Sequence, residues 1–121
     1  MSISNDALRK VLEEIDQKSQ FSSQQITIVK AQLSAKAREQ RMLQLTASEV
    51  GALPPDTHIY EGVGKMFVMT PSDEVVARLG KETKELENDK SNLDKKLHYL
   101  ETTYKNSKDS FENILKRAGG G

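Results

Sequence analysis

Two long segments of this chain carry apolar residues at alternating intervals of four and three. The first series is Leu8, Leu12, Ile15, Ser19, Ser22, Ile26, Val29, Leu33, Lys36, Gln40 and Leu43, and the second is Val76, Leu79, Thr83, Leu86, Lys90, Leu93, Leu97, Leu100, Tyr104, Ser107, Phe111, Ile114 and Ala118. Most positions in both series are apolar, and this spacing places them along one side of an α-helix. Each segment is therefore predicted to be one strand of a coiled coil.

The two predicted helices are similar in length and a short segment joins them. The simplest packing is therefore an antiparallel pair within the chain, in which the numbers of facing residues add to about 122. This alignment places the small Ser19 and Ser22 opposite larger side chains. The alternative is that each helix pairs with another chain.

The ends of the helices are predicted from capping residues. Asn5 or Asp6 is expected to cap the first helix and Thr70 the second. The predicted organisation is a single domain over residues 1–121, with helix 1 over 5–50, a linker and β-hairpin over 56–70, helix 2 over 71–117 and a flexible tail over 118–121.

The composition suits a helix pair better than a thick globular core. Of the 121 residues 36% are apolar and 5% aromatic, with no Trp. Basic and acidic residues number 18 each, so neither nucleic acid nor a membrane surface is an expected partner. The absence of Cys excludes disulfides and thiol catalysis. With no signal-peptide core or membrane span, we expect a soluble cytoplasmic protein, and a nuclear pool stays open.

The segment between the helices changes its period from helix to strand. Pro54 and Pro55 stop the first helix, and two short extended runs follow over residues 58–61 and 65–70. The sequence Gly-Val-Gly at 62–64 supplies the backbone freedom that a tight connection requires. We therefore predict a single β-hairpin.

The second of these runs is apolar on both faces. Because successive side chains of a strand alternate, Phe67 and Met69 face one way, whereas Met66 and Val68 face the other. A two-stranded ribbon is marginal in water, and one with two apolar faces tends to aggregate. We therefore predict that hairpins of several chains join in a shared sheet or barrel. A hairpin folded back on its own helices is the alternative.

The stretch GVGK at residues 62–65 resembles the end of a phosphate-binding loop. The full motif requires Gly at position 59 and a hydroxyl at position 66, where this chain has Ile59 and Met66, and it leads into a helix rather than a strand. His58 and His98 lack metal-ligand spacing, and the carboxylates of the second helix alternate with lysines. We therefore predict no catalytic residues, no metal, no cofactor and no enzyme activity.

The free ends of the helices carry apolar residues beyond those of the seam. Val11 and Leu115 lie off the seam, and the antiparallel alignment is expected to bring them together. The predicted tip cluster is Leu8, Val11, Leu12, Phe111, Ile114 and Leu115. Helix ends fray, so these side chains should be accessible to other chains. Phe21 and Ile28 extend the off-seam set, either as partly buried flanking residues or as contact residues.

The order helix, hairpin, helix, together with the central stretch, resembles a known family. YEGVGKMF at residues 60–67 and YLE at 99–101 resemble the β-class subunits of prefoldin, most closely its subunit 1 group, and the likeness spans about residues 5–117. The resemblance implies a mainly α fold, in which a single central β-hairpin joins a long antiparallel two-helix coiled coil and enters an intersubunit β-barrel. It also implies a heterohexamer with two α-class and three further β-class subunits.

The same resemblance implies a function. Prefoldin is a co-chaperone that captures unfolded proteins such as actin and tubulin chains at its coiled-coil tips and passes them to the cytosolic group II chaperonin without ATP hydrolysis. The residues expected to join the barrel are Tyr60, Val63, Gly64, Met66, Phe67, Val68 and Met69. The tip cluster would contact clients. The alternative is a structural coiled-coil adaptor or tether subunit, whose tip would bind one folded partner.

Overall fold

The fold consists of two long helices and one hairpin. The structure is a computed structural model that describes residues 4–119. Its elements are helix α1 (Asn5–Gly51), strand β1 (Ile59–Val63), strand β2 (Met66–Thr70) and helix α2 (Ser72–Gly119). By their contacts, Met1–Gln32 and Leu93–Gly121 form one compact unit, which we call the terminal unit, and Leu33–Asn92 form a second, the hairpin unit. The predicted helices and single hairpin are confirmed.

Within each unit the helices pack along the predicted seam. Every predicted seam position of α1 is buried or half-buried, and so is every one of α2 as far as Ile114, whereas Ala118 is exposed. Val29, Leu79, Leu86 and Leu100 are among the most buried side chains of the chain. The predicted spacing therefore identifies the core of the helix pair.

Polar contacts in the hairpin unit show that the two helices are antiparallel. Lys36 pairs with Asp89 at 3.6 Å, and Gln40 hydrogen bonds to Glu87 and Lys90. These partners lie one to two turns further along α2 than the alignment by residue number predicts. Side chains of a helix lean toward its N-terminus. In an antiparallel pair, two side chains that touch therefore belong to residues whose backbones are not level, and the sum of their residue numbers is larger than for two residues whose backbones are level.

The start of α1 differs from the prediction. The hydroxyl of Ser4 accepts a hydrogen bond from the backbone N–H of Ala7 at 3.2 Å, and its carbonyl accepts from the N–H of Leu8 at 2.9 Å. Ser4 is therefore the N-cap, one residue before the predicted Asn5. Several potential caps follow one another here, and the sequence alone does not rank them.

The start and end of α2 also differ from the prediction. The hydroxyl of Thr70 donates to Glu61 on the neighbouring strand at 3.2 Å, and the helix begins at Ser72, so Thr70 does not cap it. At the other end the helix continues to Gly119, where a flexible tail over 118–121 was predicted. The last two residues of this predicted tail, 120 and 121, lie outside the described part of the chain.

Candidate protein-binding surfaces

The hairpin has a two-residue connection. Its strands pair antiparallel from Ile59 opposite Thr70 to Val63 opposite Met66, which leaves Gly64 and Lys65 in the turn. Gly64 has φ of +63°, and no described residue other than glycine has a positive φ, as in a type II′ turn. Gly62 and Val63 thus belong to β1, not to the connection in which the sequence placed them.

One face of the hairpin is apolar and uncovered. Tyr60, Phe67 and Met69 lie on this face, and all three are exposed, Phe67 by 77%. Gly62 is opposite Phe67, and a Cβ atom built on Gly62 would lie 3.9 Å from the Phe67 ring. The ring therefore lies against the backbone of β1 and presents its outer side to solvent.

The opposite face is divided between a covered end and an uncovered end. Ile59, Glu61 and Thr70 are half-buried, whereas Val63, Met66 and Val68 are exposed. The sequence alternative of a hairpin folded onto its own helices therefore applies only to the covered end. Each large apolar residue in the predicted assembly set is exposed in this chain.

An ion pair between β1 and α2 holds the covered end. Arg78 donates from Nη1 to Glu61 Oε2 at 3.0 Å and from Nη2 to Glu61 Oε1, and its Nε lies 3.9 Å from Glu82. These hydrogen bonds hold the pKa of Glu61 below its usual value, and Glu61 raises the pKa of Arg78. The contact links the hairpin to α2 and leaves the apolar side chains of the hairpin uncovered.

The hairpin also exposes backbone hydrogen-bonding groups. The sheet has two strands, so each has one outer edge without a partner strand among the described residues. Such edges carry free N–H and C=O groups onto which another strand can add. The hairpin thus offers apolar side chains and pairing edges together, which suits strand addition from another chain.

The terminal unit contains two grooves at the predicted tip cluster. One, of about 460 Å³, is lined by Asn5, Leu8, Arg9, Leu12, Glu13, Asp16 and Phe111. The other, of about 260 Å³, is lined by Ile15, Asp16, Ser19, Ser107, Lys108, Phe111, Glu112 and Leu115. Phe111 lines both grooves. The lining of each groove combines apolar residues with charged residues of both signs.

Two predicted tip residues differ in their relation to these grooves. Leu115 lines the smaller groove beside Asp16, but Val11 lines neither groove. Val11 lies one heptad before Lys18, which lines a different groove together with Thr103. The contact between Val11 and Leu115 stays a prediction, and both side chains are exposed. Ile114 is half-buried in the seam.

The sequence reasoning missed some exposed apolar residues. Met42, Leu45 and Leu53 in the hairpin unit are exposed, and none was singled out. A test of a second heptad phase on the first helix would have found the first two. Phe21 and Ile28, for which the sequence left two roles open, are 60% and 48% exposed, so a large part of each side chain is available for contact.

Other kinds of site find no support within residues 4–119. No group of three or more potential metal-ligating side chains occurs there. No described helix is long and apolar enough to span a membrane. The candidate binding features of the described residues are therefore the uncovered hairpin and the grooved helix ends.

These features define a coiled-coil subunit whose two-stranded sheet has outer edges without a partner strand among the described residues. The model of the prefoldin subunit family matches residues 7–118, so the chain belongs to that family. Related proteins include prefoldin subunit 1 of Tetraodon nigroviridis, which is 28% identical over 111 residues that cover 92% of this chain and 91% of that protein. The human protein of that name is 28% identical over 108 residues, covering 89% and 88%, and the probable subunit 1 of Schizosaccharomyces pombe is 29% identical over 107, covering 88% and 96%.

A solved structure shares the fold. The crystal structure of the prefoldin beta subunit from Thermococcus strain KS-1 matches with a TM-score of 0.82 and 23% identity, covering 87% of this chain and 92% of that one. The resemblance read from the central motif is therefore confirmed. Membership in this family of chaperone subunits implies assembly with other prefoldin subunits.

Proposed function

We propose that this chain is a β-type subunit of a heterohexameric co-chaperone and that its hairpin enters an intersubunit β-barrel. The observation that carries the proposal is the hairpin face of Tyr60, Phe67 and Met69, which is apolar, exposed and bounded by unpaired strand edges. Burial of such a face against other strands removes apolar surface from water and satisfies the edge groups at the same time. Family membership supports this use of the hairpin.

We further propose that the helix ends capture unfolded proteins, including actin and tubulin chains, for transfer to the cytosolic chaperonin. The grooves of about 460 and 260 Å³ take apolar side chains, and their charged rims suit polypeptides of mixed composition. A single small groove binds weakly, but several tips in one assembly raise the effective concentration of the others. Capture of this kind requires no ATP hydrolysis and no cofactor, and transfer to a cytosolic chaperonin would take place in the cytoplasm.

The assembly role is tested by the double variant Phe67→Asp/Met69→Asp. We expect the chain to remain helical but to be excluded from the hexamer, because two carboxylates would have to be buried in the barrel. The measurement is native mass spectrometry of the complex purified through a tag on this chain. Lys65→Asp is the matched control, since the second turn position accepts Asp and lies outside both apolar faces. A normal hexamer containing the double variant would refute the shared sheet.

The client role is tested at the tip. Removal of residues 1–12 and 111–121 should preserve the hexamer and weaken its suppression of client aggregation, measured with denatured actin. The milder Val11→Gln/Leu115→Gln changes two exposed residues, so it should weaken suppression without loosening the helix pair. Lys10→Gln/Lys116→Gln is the matched control, because both lysines are exposed near the helix ends and line neither groove. Unchanged suppression by both altered hexamers would contradict client capture by this subunit and favour the adaptor function.

A further inference from the structure

The hairpin unit exposes apolar residues on α1 that the hairpin does not account for. Met42 is 68% exposed and Leu45 53%, and Leu53, which follows the helix, is exposed as well. Met42 and Leu45 are three residues apart, so they are neighbours on the helix surface. The seam residues Gln40 and Leu43 face α2 and are buried or half-buried. These three exposed residues, Met42, Leu45 and Leu53, which we call the α1 patch, are not among the seam residues of the helix–helix contact.

At the same level α2 presents charge instead of apolar surface. Gln40 contacts Glu87 and Lys90, and the helices are antiparallel, so the α1 patch lies alongside the part of α2 that precedes Glu87. The exposed side chains of that part include Lys81, Lys84 and Glu85. One turn earlier Arg78 is engaged with Glu61. An apolar partner surface could not cover these groups without the cost of removing charges from water.

We propose that a neighbouring subunit of the same assembly docks on the α1 patch in addition to joining the hairpin. This inference rests on the proposed function. The occupant is a subunit because the patch belongs to the unit that carries the hairpin and Leu53 lies in the short linker, residues 52–58, that leads from α1 into β1. A subunit that adds to the hairpin is thus held beside the patch, and its second contact is intramolecular in effect.

The consequence is an asymmetric subunit. The neighbour packs an apolar surface against the α1 side of the hairpin unit, while the α2 side stays in water with its charges hydrated. In the described part of α2 at this level no large apolar side chain is exposed, so a neighbour that packs by apolar contact finds one suitable side, and this restricts how subunits can follow one another around a ring. The α1 patch therefore contributes to the choice and the orientation of the neighbouring subunit.

The test compares two double variants of the full-length chain in the assembled complex. Met42→Gln/Leu45→Gln removes the apolar side chains and keeps a helix-forming residue at both positions. Lys81→Gln/Glu85→Gln is the matched control, with two exposed changes to the same residue on α2 at the same level. Each tagged variant is co-expressed with untagged wild-type chain, and native mass spectrometry measures its share of the complex.

We expect the first variant to enter the complex about ten-fold less well than wild type and the control to enter equally well. A photo-crosslinker at position 42 should give an adduct with the mass of another subunit, and one at position 81 should give none. Normal incorporation of Met42→Gln/Leu45→Gln, a client adduct instead of a subunit adduct at position 42, or equal loss of the control would each overturn the inference. If Phe67→Asp/Met69→Asp is excluded while Met42→Gln/Leu45→Gln is not, the proposed function stands and only the α1 patch fails.

Discussion

Replacement of Gln40 is expected to separate the stability of the helix pair from its alignment. Gln40 occupies a seam position of the hairpin unit and is 8% exposed. Its amide nitrogen donates to Glu87 Oε2 at 2.7 Å, and its amide oxygen accepts from Lys90 Nζ at 3.1 Å. Both ends of the buried amide are satisfied, and only in the alignment that brings these three residues together.

The magnitude follows from what each substitution removes. Gln40→Ala deletes two hydrogen bonds to charged groups, each contributing roughly 1.5–3 kcal/mol where desolvated, and one methylene at about 0.8 kcal/mol. Because Glu87 is exposed, screening reduces the total to about 3 kcal/mol. Gln40→Leu loses the hydrogen bonds but restores apolar burial, so its stability should lie within about 1 kcal/mol of wild type.

Two measurements on the assembled complex check this. Hydrogen exchange of the α1 amides around residue 40 gives the free energy of local opening for each variant. Cysteine pairs, placed at contacting positions and one turn away from them, report the alignment by disulfide formation. Wild type and Gln40→Ala should form only the native disulfide, whereas Gln40→Leu should also form the displaced one. A loss below about 0.5 kcal/mol in Gln40→Ala, or no displaced disulfide in Gln40→Leu, would refute the reasoning.

Two further predictions concern the hairpin. Since the pKa of Glu61 is lowered in the folded chain, the stability that its contact with Arg78 contributes is complete above the ordinary pKa of 4.5 and is lost as the pH falls through the lowered pKa. Amide NMR shifts of the hairpin should report this loss. Glu61→Gln should abolish the pH response. Gly64→Ala should destabilise the hairpin by about 1–2 kcal/mol, because the φ of Gly64 is positive. Gly80→Ala lies within a helix, where no atom is near the added Cβ, and should stabilise the chain by about 1 kcal/mol in urea unfolding. Equal effects of the two substitutions would contradict the backbone argument.

The helix pair was largely predictable because one physical rule determines it. A four-three spacing specifies which side of each helix is buried, and the local sequence of each helix contains that spacing. The exception is Val75, which is buried in the first turn of α2 although the predicted series begins at Val76. There the chain enters from the hairpin, and the tertiary contacts of the entry decide which side chain turns inward.

The details of the candidate surfaces depended on information that the spacing does not contain. Gly62 was predicted to lie in the turn because glycine is typical of turns, but it pairs with Phe67 within the strands, where a Cβ atom would make only an ordinary contact with the Phe67 ring. The contact of Glu61 with Arg78 joins residues 17 apart, across the end of a strand and the start of a helix, and no local pattern indicates it. The α1 patch includes Met42, which shares a second heptad phase with Phe21 and Ile28, and the four-three series of the seam does not contain that phase.

The distribution of contacts also explains why hairpin and helices should respond differently to mutation. In the described chain the side-chain hydrogen bonds and ion pairs that join the hairpin to a helix are those of Glu61 with Arg78, and exposed pairs of this kind contribute little in water. The helices instead share a continuous buried seam within each unit. A partner that covers Phe67 and Met69 binds only the ordered hairpin, so its binding free energy adds to hairpin stability by mass action. The order of the hairpin should therefore increase with subunit concentration, while the helix content stays nearly constant.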